Sequence, residues 1–243
     1  MVRKSTFVLM VLAAAGALVV WPLAAGADAG RQGRKEAEAG ETVRDADAVL
    51  KAALGAPDRG IPRELLERAE CIGVFPGVKK GAFVIGGEYG RGVFTCRKED
   101  DGTMGPPALF TMGGGSIGWQ FGGKTVDAVL LIMNKDGLRR LLQDQFTLGG
   151  EAAAVAGPVG RTAQAATDAQ MTAEILSWSH ARGVFLGAAF KGAVIKPDGS
   201  GIDALYGKPM TASEILIAAS VDPPDSARPF VETATEYSRR SAS

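Results

Sequence analysis

Two stretches of this 243-residue sequence match patterns that do chemistry, and two isolated residue types deserve the same question. Gly118-Trp119-Gln120-Phe121-Gly122-Gly123-Lys124-Thr125 satisfies G-x-x-x-x-G-K-T, the loop that cradles phosphate with backbone amides and a lysine. Such a loop works only between a strand and a helix whose N-terminus faces the phosphate. Here Trp119 and Phe121 alternate with small residues, as on a strand face. The apolar block 126–133 follows, and its Val126, Val129, Leu130, Met133 spacing fits either a helix or a strand. No acidic strand end suited to magnesium accompanies it, so no nucleotide partner is expected.

Gly114-Gly115-Ser116-Ile117-Gly118 satisfies G-x-S-x-G, and Ser116, Asp168 and His180 follow one another in hydrolase order. That elbow needs a sharp strand-to-helix turn directly after its serine, whereas residues 117–121 alternate like a strand. The chain also lacks the repeated strand–helix alternation of an α/β hydrolase. A serine hydrolase using Ser116 therefore stands only as an alternative, and no catalytic residue is assigned. No paired-carboxylate site stands out, and Glu99-Asp100-Asp101 reads as solvated hairpin chemistry. One His and two Cys argue against zinc fingers and multi-His metal centres, so no metal and no cofactor are expected.

Composition narrows the field further. Twenty-seven basic residues balance 27 acidic ones, leaving no global field to attract nucleic acid. Hydrophobic residues make up 46% of the chain, enough for a real core. Glycine is abundant, 33 residues, with its densest run between Gly73 and Gly123. No collagen-type period accompanies it, so these glycines serve turns, bulges and close packing.

The elements that would position any site follow from periodicity. Arg3 and Lys4 precede an uncharged stretch from Phe7 to Ala25, and Ala24-Ala25-Gly26-Ala27 supplies an A-x-A-like cleavage site. Residues 1–27 read as a signal peptide, which implies a periplasmic or secreted protein; a retained membrane anchor is the alternative. Residues 28–40 read as a flexible lead-in. Val43, Ala46, Leu50 and Leu54 give an amphipathic helix over about 41–54 whose job is core packing. Pro62 opens a short helix with Leu65, Leu66 and Ala69 on its apolar face.

From Cys71 the pattern changes to short Val-, Ile- and Phe-rich runs, with strands expected at 71–75, 80–87, 91–98, 107–112, 115–122 and 126–133. A helix over about 135–146 is capped by Asn134. Strands follow near 174–180, 183–190 and 192–196, with a turn at Pro197-Asp198-Gly199. Thr211 and Glu214 form a capping box before a helix near 212–219, and a last helix covers 226–239. The fold class expected is α+β: an antiparallel glycine-rich sheet or barrel with flanking helices, in a single domain over 41–240.

An ordered set of blocks resembles the SYLF domain, a lipid-binding module also known as an actin-binding domain in fungi. They include Ile61-Pro62-Arg63-Glu64-Leu65-Leu66-Glu67-Arg68-Ala69, Ile72-Gly73-Val74-Phe75-Pro76, Phe83-Val84-Ile85-Gly86-Gly87 and Gly114-Gly115-Ser116-Ile117-Gly118-Trp119-Gln120. Gly90-Arg91-Gly92-Val93, Asp127-Ala128-Val129-Leu130-Leu131-Ile132-Met133-Asn134, Leu148-Gly149 with Gly157-Pro158-Val159-Gly160-Arg161, the run from Ser177 to Gly187 and Leu205-Tyr206-Gly207 complete the set. Trp178 stands where that family usually shows Tyr. The resemblance implies a non-catalytic, phosphatidylinositol-binding-like module that contacts anionic phospholipid membrane through basic residues. An envelope protein partner is the alternative. Lys79, Lys80, Arg91, Lys124, Arg182 and Lys191, all at turns or strand ends, are the candidate lipid-binding residues. Several must converge, since each cation near an anionic surface contributes only about 1 kcal/mol. Cys71 and Cys96 fall on candidate strands that antiparallel pairing would bring together. They are a candidate disulfide, worth on the order of 3 kcal/mol, or else two buried thiols.

Overall fold

The apolar runs after Cys71 assemble into one sheet because each buries side chains that no single strand could cover. In the structure, a computed structural model, residues 23–55, 60–80, 86–116, 124–150, 152–159, 172–181 and 184–239 are described. Nine strands lie among them: β1 (Cys71–Lys80), β2 (Gly86–Cys96), β3 (Ala108–Ser116), β4 (Lys124–Ile132), β5 (Phe146–Thr147), β6 (Ala154–Ala156), β7 (Ile175–Ala181), β8 (Val184–Gly187) and β9 (Val194–Pro197). Their order is β5-β9-β3-β2-β1-β4-β7-β6, with β8 also paired to β7. Every pairing is antiparallel except β6 with β7. The sheet curls into a half-barrel, so the single α+β domain expected from the strand pattern is the one observed.

Six helices accompany it among the described residues: α1 (Leu23–Leu54), α2 (Arg63–Arg68), α3 (Lys135–Leu141), α4 (Gly199–Tyr206), α5 (Ala212–Leu216) and α6 (Arg228–Ser238). The C-terminal half of α1 packs on the sheet through the buried residues Val43, Ala46, Leu50 and Ala53. Full burial of a leucine-sized side chain contributes about 1.5–3 kcal/mol. Thr233 of α6 donates its hydroxyl to Asp47 Oδ1 (2.7 Å), and the other Asp47 oxygen accepts Lys51 Nζ (2.7 Å), which docks α6 on α1.

At the centre, Phe94 makes edge-on contacts with Phe75 (centroids 5.7 Å) and Phe110 (5.0 Å). Its ring lies across Gly73, its register partner on β1, where a Cβ would come within 2.2 Å of it. Trp178 lies on Gly157 in the same way, with 2.0 Å left for a Cβ, and its indole N–H donates to Pro158 O at 2.9 Å. The glycine richness of the sequence thus serves close approach between backbone and aromatic rings. Cys71 and Cys96 are register partners on β1 and β2 and form a disulfide with S–S 2.09 Å.

Several expectations need correction. Residues 28–40, expected as a flexible lead-in, are helical as part of α1. Ala, Arg, Gln, Lys and Glu favour helix strongly enough to carry Gly30, Gly33 and Gly40, each of which costs about 1 kcal/mol. The break expected between strands 71–75 and 80–87 is a bulge inside one strand that reaches Lys80. Residues 81–85 lie outside the described residues. Strands expected at 107–112 and 115–122 are one strand as far as Ser116, and 117–123 lie outside the described residues. The helix begun by Asn134 stops at Leu141, and Phe146 turns instead into β5. The Pro197-Asp198-Gly199 turn is the start of α4, because Asp198 accepts the Gly201 N–H (3.1 Å) as an N-cap.

Candidate functional site

Strand β1 changes character at Pro76-Gly77. Proline cannot donate to a sheet ladder, and Gly77 takes φ +60°, a conformation side-chain-bearing residues resist. The register with both neighbours shifts here, as a β-bulge requires. The freed Gly77 N–H donates to Asp127 Oδ1 (2.9 Å), on β4. The other oxygen, Oδ2, accepts the His180 Nδ1–H (2.9 Å), from β7. The imidazole stacks on Phe185 of β8, centroids 4.2 Å apart and planes 11° from parallel. One half-buried carboxylate thus ties three adjacent strands together at the bulge in β1.

Beyond that tie the sheet carries cations. Lys79 is exposed and stands in register between Thr125 of β4 and Tyr89 of β2. Lys80 stands between Lys124 and Glu88. Tyr89 is 55% exposed, high for a tyrosine. Lys80 and Lys124 are register partners, and like charges at directly opposed positions are unfavourable in a sheet. The turn holding Lys191 belongs to the same end. The neighbouring Gly192 carbonyl lies against Gly114, the register partner of Glu88. Lys79, Lys80, Lys124 and Lys191 therefore share one end of the sheet: the first three sit on the adjacent strands β1 and β4, about 4.8 Å apart, and Lys191 precedes β9, which β3 and β2 separate from β1.

The remaining two candidates fare differently. Arg182 lies outside the described residues, between Ala181 and Val184, which close the β7–β8 pairing. Arg91 does not join the lysines. It holds Glu38 of α1 (3.2 Å) and Asp198, the N-cap of α4 (3.6 Å). Partial burial works against its charge, and Tyr89, Glu38 and Asp198 more than offset this, raising its pKa. A guanidinium engaged in this way clamps α1 and α4 to the sheet and is poorly placed to bind lipid.

The enzyme-like patterns do not assemble. Lys124-Thr125 opens a strand, so the helix that a phosphate loop needs is missing from that position. Gly114-Gly115-Ser116 continues β3 in antiparallel register with Gly86-Gly87-Glu88, which is not a nucleophile elbow. His180 is engaged with Asp127, and strands β2, β1 and β4 stand between Ser116 and His180. Asp168 lies outside the described residues. Among the described residues no group of three or more His, Cys, Asp or Glu could hold a metal ion.

Asp127 and Tyr89 were missed by sequence reasoning. A single carboxylate directly before the apolar run 128–133 is a legible signal for Asp127, because such a group enters a sheet only with partners. Nothing local marked Tyr89.

Comparison with known proteins gives a consistent picture. LAS seventeen-binding protein 3 of Saccharomyces cerevisiae is 31% identical over 176 residues, 71% of this chain and 38% of that protein. Protein YSC84 of the same yeast is 29% identical over 177 residues, 72% of this chain and 37% of that protein. SH3 domain-containing YSC84-like protein 1 of Homo sapiens is 24% identical over 140 residues, 57% of this chain and 40% of that protein. The chain thus spans about two fifths of the length of these curated relatives. A family model described as "Las17-binding protein actin regulator" matches residues 113–237. On these grounds the chain belongs to the Ysc84 (SYLF) family.

Proposed function

We propose that this protein is a non-catalytic phospholipid-binding module of the cell envelope, and that it meets anionic membrane with the lysine-bearing end of its sheet. The observation that carries this reading is the register pairing of Lys80 with Lys124, beside exposed Lys79 and Tyr89. Sheets avoid like charges at opposed positions, and an anionic surface relieves that repulsion. Tyrosine beside lysine suits the water–lipid boundary, where an aromatic body and a polar tip are both accommodated. The chain order supports the same reading. Lys79-Lys80 directly precede Gly81-Ala82-Phe83-Val84-Ile85, and Lys124 directly follows Ile117-Gly118-Trp119-Gln120-Phe121-Gly122-Gly123, so cations flank two apolar segments.

Vesicle co-sedimentation tests this. The purified protein is expected to pellet with phosphatidylglycerol vesicles at low salt, to be released at high salt, and to ignore zwitterionic vesicles. The K79Q/K80Q/K124Q variant is expected to bind about 100-fold more weakly, at about 1 kcal/mol per lysine. Its melting temperature should be unchanged or slightly raised. Absence of anionic-vesicle binding in the parent protein refutes the reading.

A second reading rests on the family's description as a Las17-binding actin regulator and on the name of its yeast relative, LAS seventeen-binding protein 3. Here the sheet end or the helices would engage a protein instead. Co-sedimentation with filamentous actin in the absence of lipid separates the two, because only the protein-binding reading predicts a lipid-independent pellet.

A further inference from the structure

Residues 30–38 of α1, just before Ala39, are all exposed. Between this overhang and α4 runs an open cleft of about 460 Å³, within the range of small-ligand sites. Arg31 and Lys35 stand one helical turn apart on its α1 wall, and Lys208, just past the end of α4, stands on the other. Asp203 is the one carboxylate lining the cleft among the described residues, and its Oδ1 accepts the Met210 N–H (3.2 Å). On the same helix Arg34 pairs with Glu38 (3.8 Å) and Lys51 with Asp47 (2.7 Å), whereas Arg44, which does not line the cleft, forms no ion pair among the described residues. Arg31, Lys35 and Lys208 form no ion pair among the described residues. Like charges one turn apart weaken a helix, and a helical segment polar on every side has little to hold it against the body of a protein.

We propose that this cleft is a binding site for a small phosphate-class oxyanion, held by Arg31 and Lys35 from α1 and by Lys208 from the α4 side. A guanidinium offers a planar pair of donors and each ammonium a mobile point charge, which together suit a tetrahedral oxyanion. Bound there, the anion joins the polar half of α1 to α4, an attachment that apolar packing supplies to the rest of the helix. The site is separate from the lysine-bearing sheet end and does not depend on the lipid reading. A free phosphate compound and the phosphomonoester headgroup of a lipid share this chemistry.

The test is calorimetric titration of the purified protein with inorganic pyrophosphate, alongside sedimentation with vesicles carrying phosphatidic acid. Three variants accompany it: R31Q/K35Q/K208Q, K208Q alone and K79Q/K80Q/K124Q. The cations are exposed, so circular dichroism should show the cleft variants folded. Pyrophosphate is expected to bind one-to-one, at least tenfold more weakly in R31Q/K35Q/K208Q and about threefold more weakly in K208Q. The sheet-end variant should bind it unchanged. If pyrophosphate does not bind, yet phosphatidic-acid vesicles bind tenfold more weakly to the cleft variant, the oxyanion is a lipid headgroup and the site stands. If the cleft variant matches the parent with both probes, or chloride at equal ionic strength displaces pyrophosphate completely, the proposal is overturned. Because the sheet-end variant is scored separately, either proposal can fail alone.

Discussion

At its start, from Cys71 to Phe75, strand β1 is buried throughout, crossed by the Phe94 ring and joined to β2 by a disulfide. A few residues later the same strand carries exposed Lys79, with Lys80 opposed to Lys124. Between them lie the Gly77 bulge and the Asp127 carboxylate that secures it. The first stretch is specified by shape, since a Cβ at Gly73 has no room, and its loss is felt as stability. The second carries charge, and under the proposed lipid reading its loss should be felt in binding. One strand is thus buried at one end and lysine-bearing at the other, with the bulge between them.

The largest expected effect tests the scaffold side. Phe94→Ala removes a fully buried ring packed against Phe75 and Phe110, and should cost about 3–5 kcal/mol in denaturant unfolding. Protein that remains folded should still bind anionic vesicles; loss of that binding would show that the two ends are not separable. Next comes Cys71→Ala with Cys96→Ala. The bridge spans a sequence separation of 25, and its removal should cost about 2–4 kcal/mol, read from the denaturation midpoint. An unchanged midpoint would assign the stability of this end to aromatic packing alone.

The smallest effect is a control remote from both ends. The Thr211 N–H and hydroxyl donate to Glu214 Oε2, completing the capping box of α5. Those bonds, with a lesser contribution from Lys208, hold the Glu214 carboxyl below its ordinary range. The depressed value means that the stabilisation is fully present above the ordinary carboxylate range and is lost as pH falls through it and below. Glu214→Gln should therefore lower the melting temperature slightly at neutral pH and flatten its decline in acid. Vesicle binding at neutral pH should not change. If it did, stability and binding would share a cause, and the comparison along β1 would lose its force.

Much of this was legible in the residues themselves. Period-two alternation announced the strands, a 3.6-residue period announced the packed half of α1, and Thr211-x-x-Glu214 announced α5, because these are local rules that neighbours in sequence satisfy. The crowded strand face of residues 117–121 likewise argued against both enzyme motifs, and the strands observed at Lys124 and Ser116 agree. What local rules could not decide was whether Pro76-Gly77 ends a strand or bends one. That depends on Asp127, 50 residues away, offering its carboxylate to the Gly77 N–H. Nor could they show that Arg91 is held by Glu38 and Asp198 while four lysines from three separate stretches reach one end of the sheet. A lone charge reads the same in sequence whether it is solvated, clamped or poised for a ligand. Only the register of antiparallel strands and the crossing of α1 over α4 bring distant charges together or pair them off, and those are decided by which apolar faces must be buried against each other.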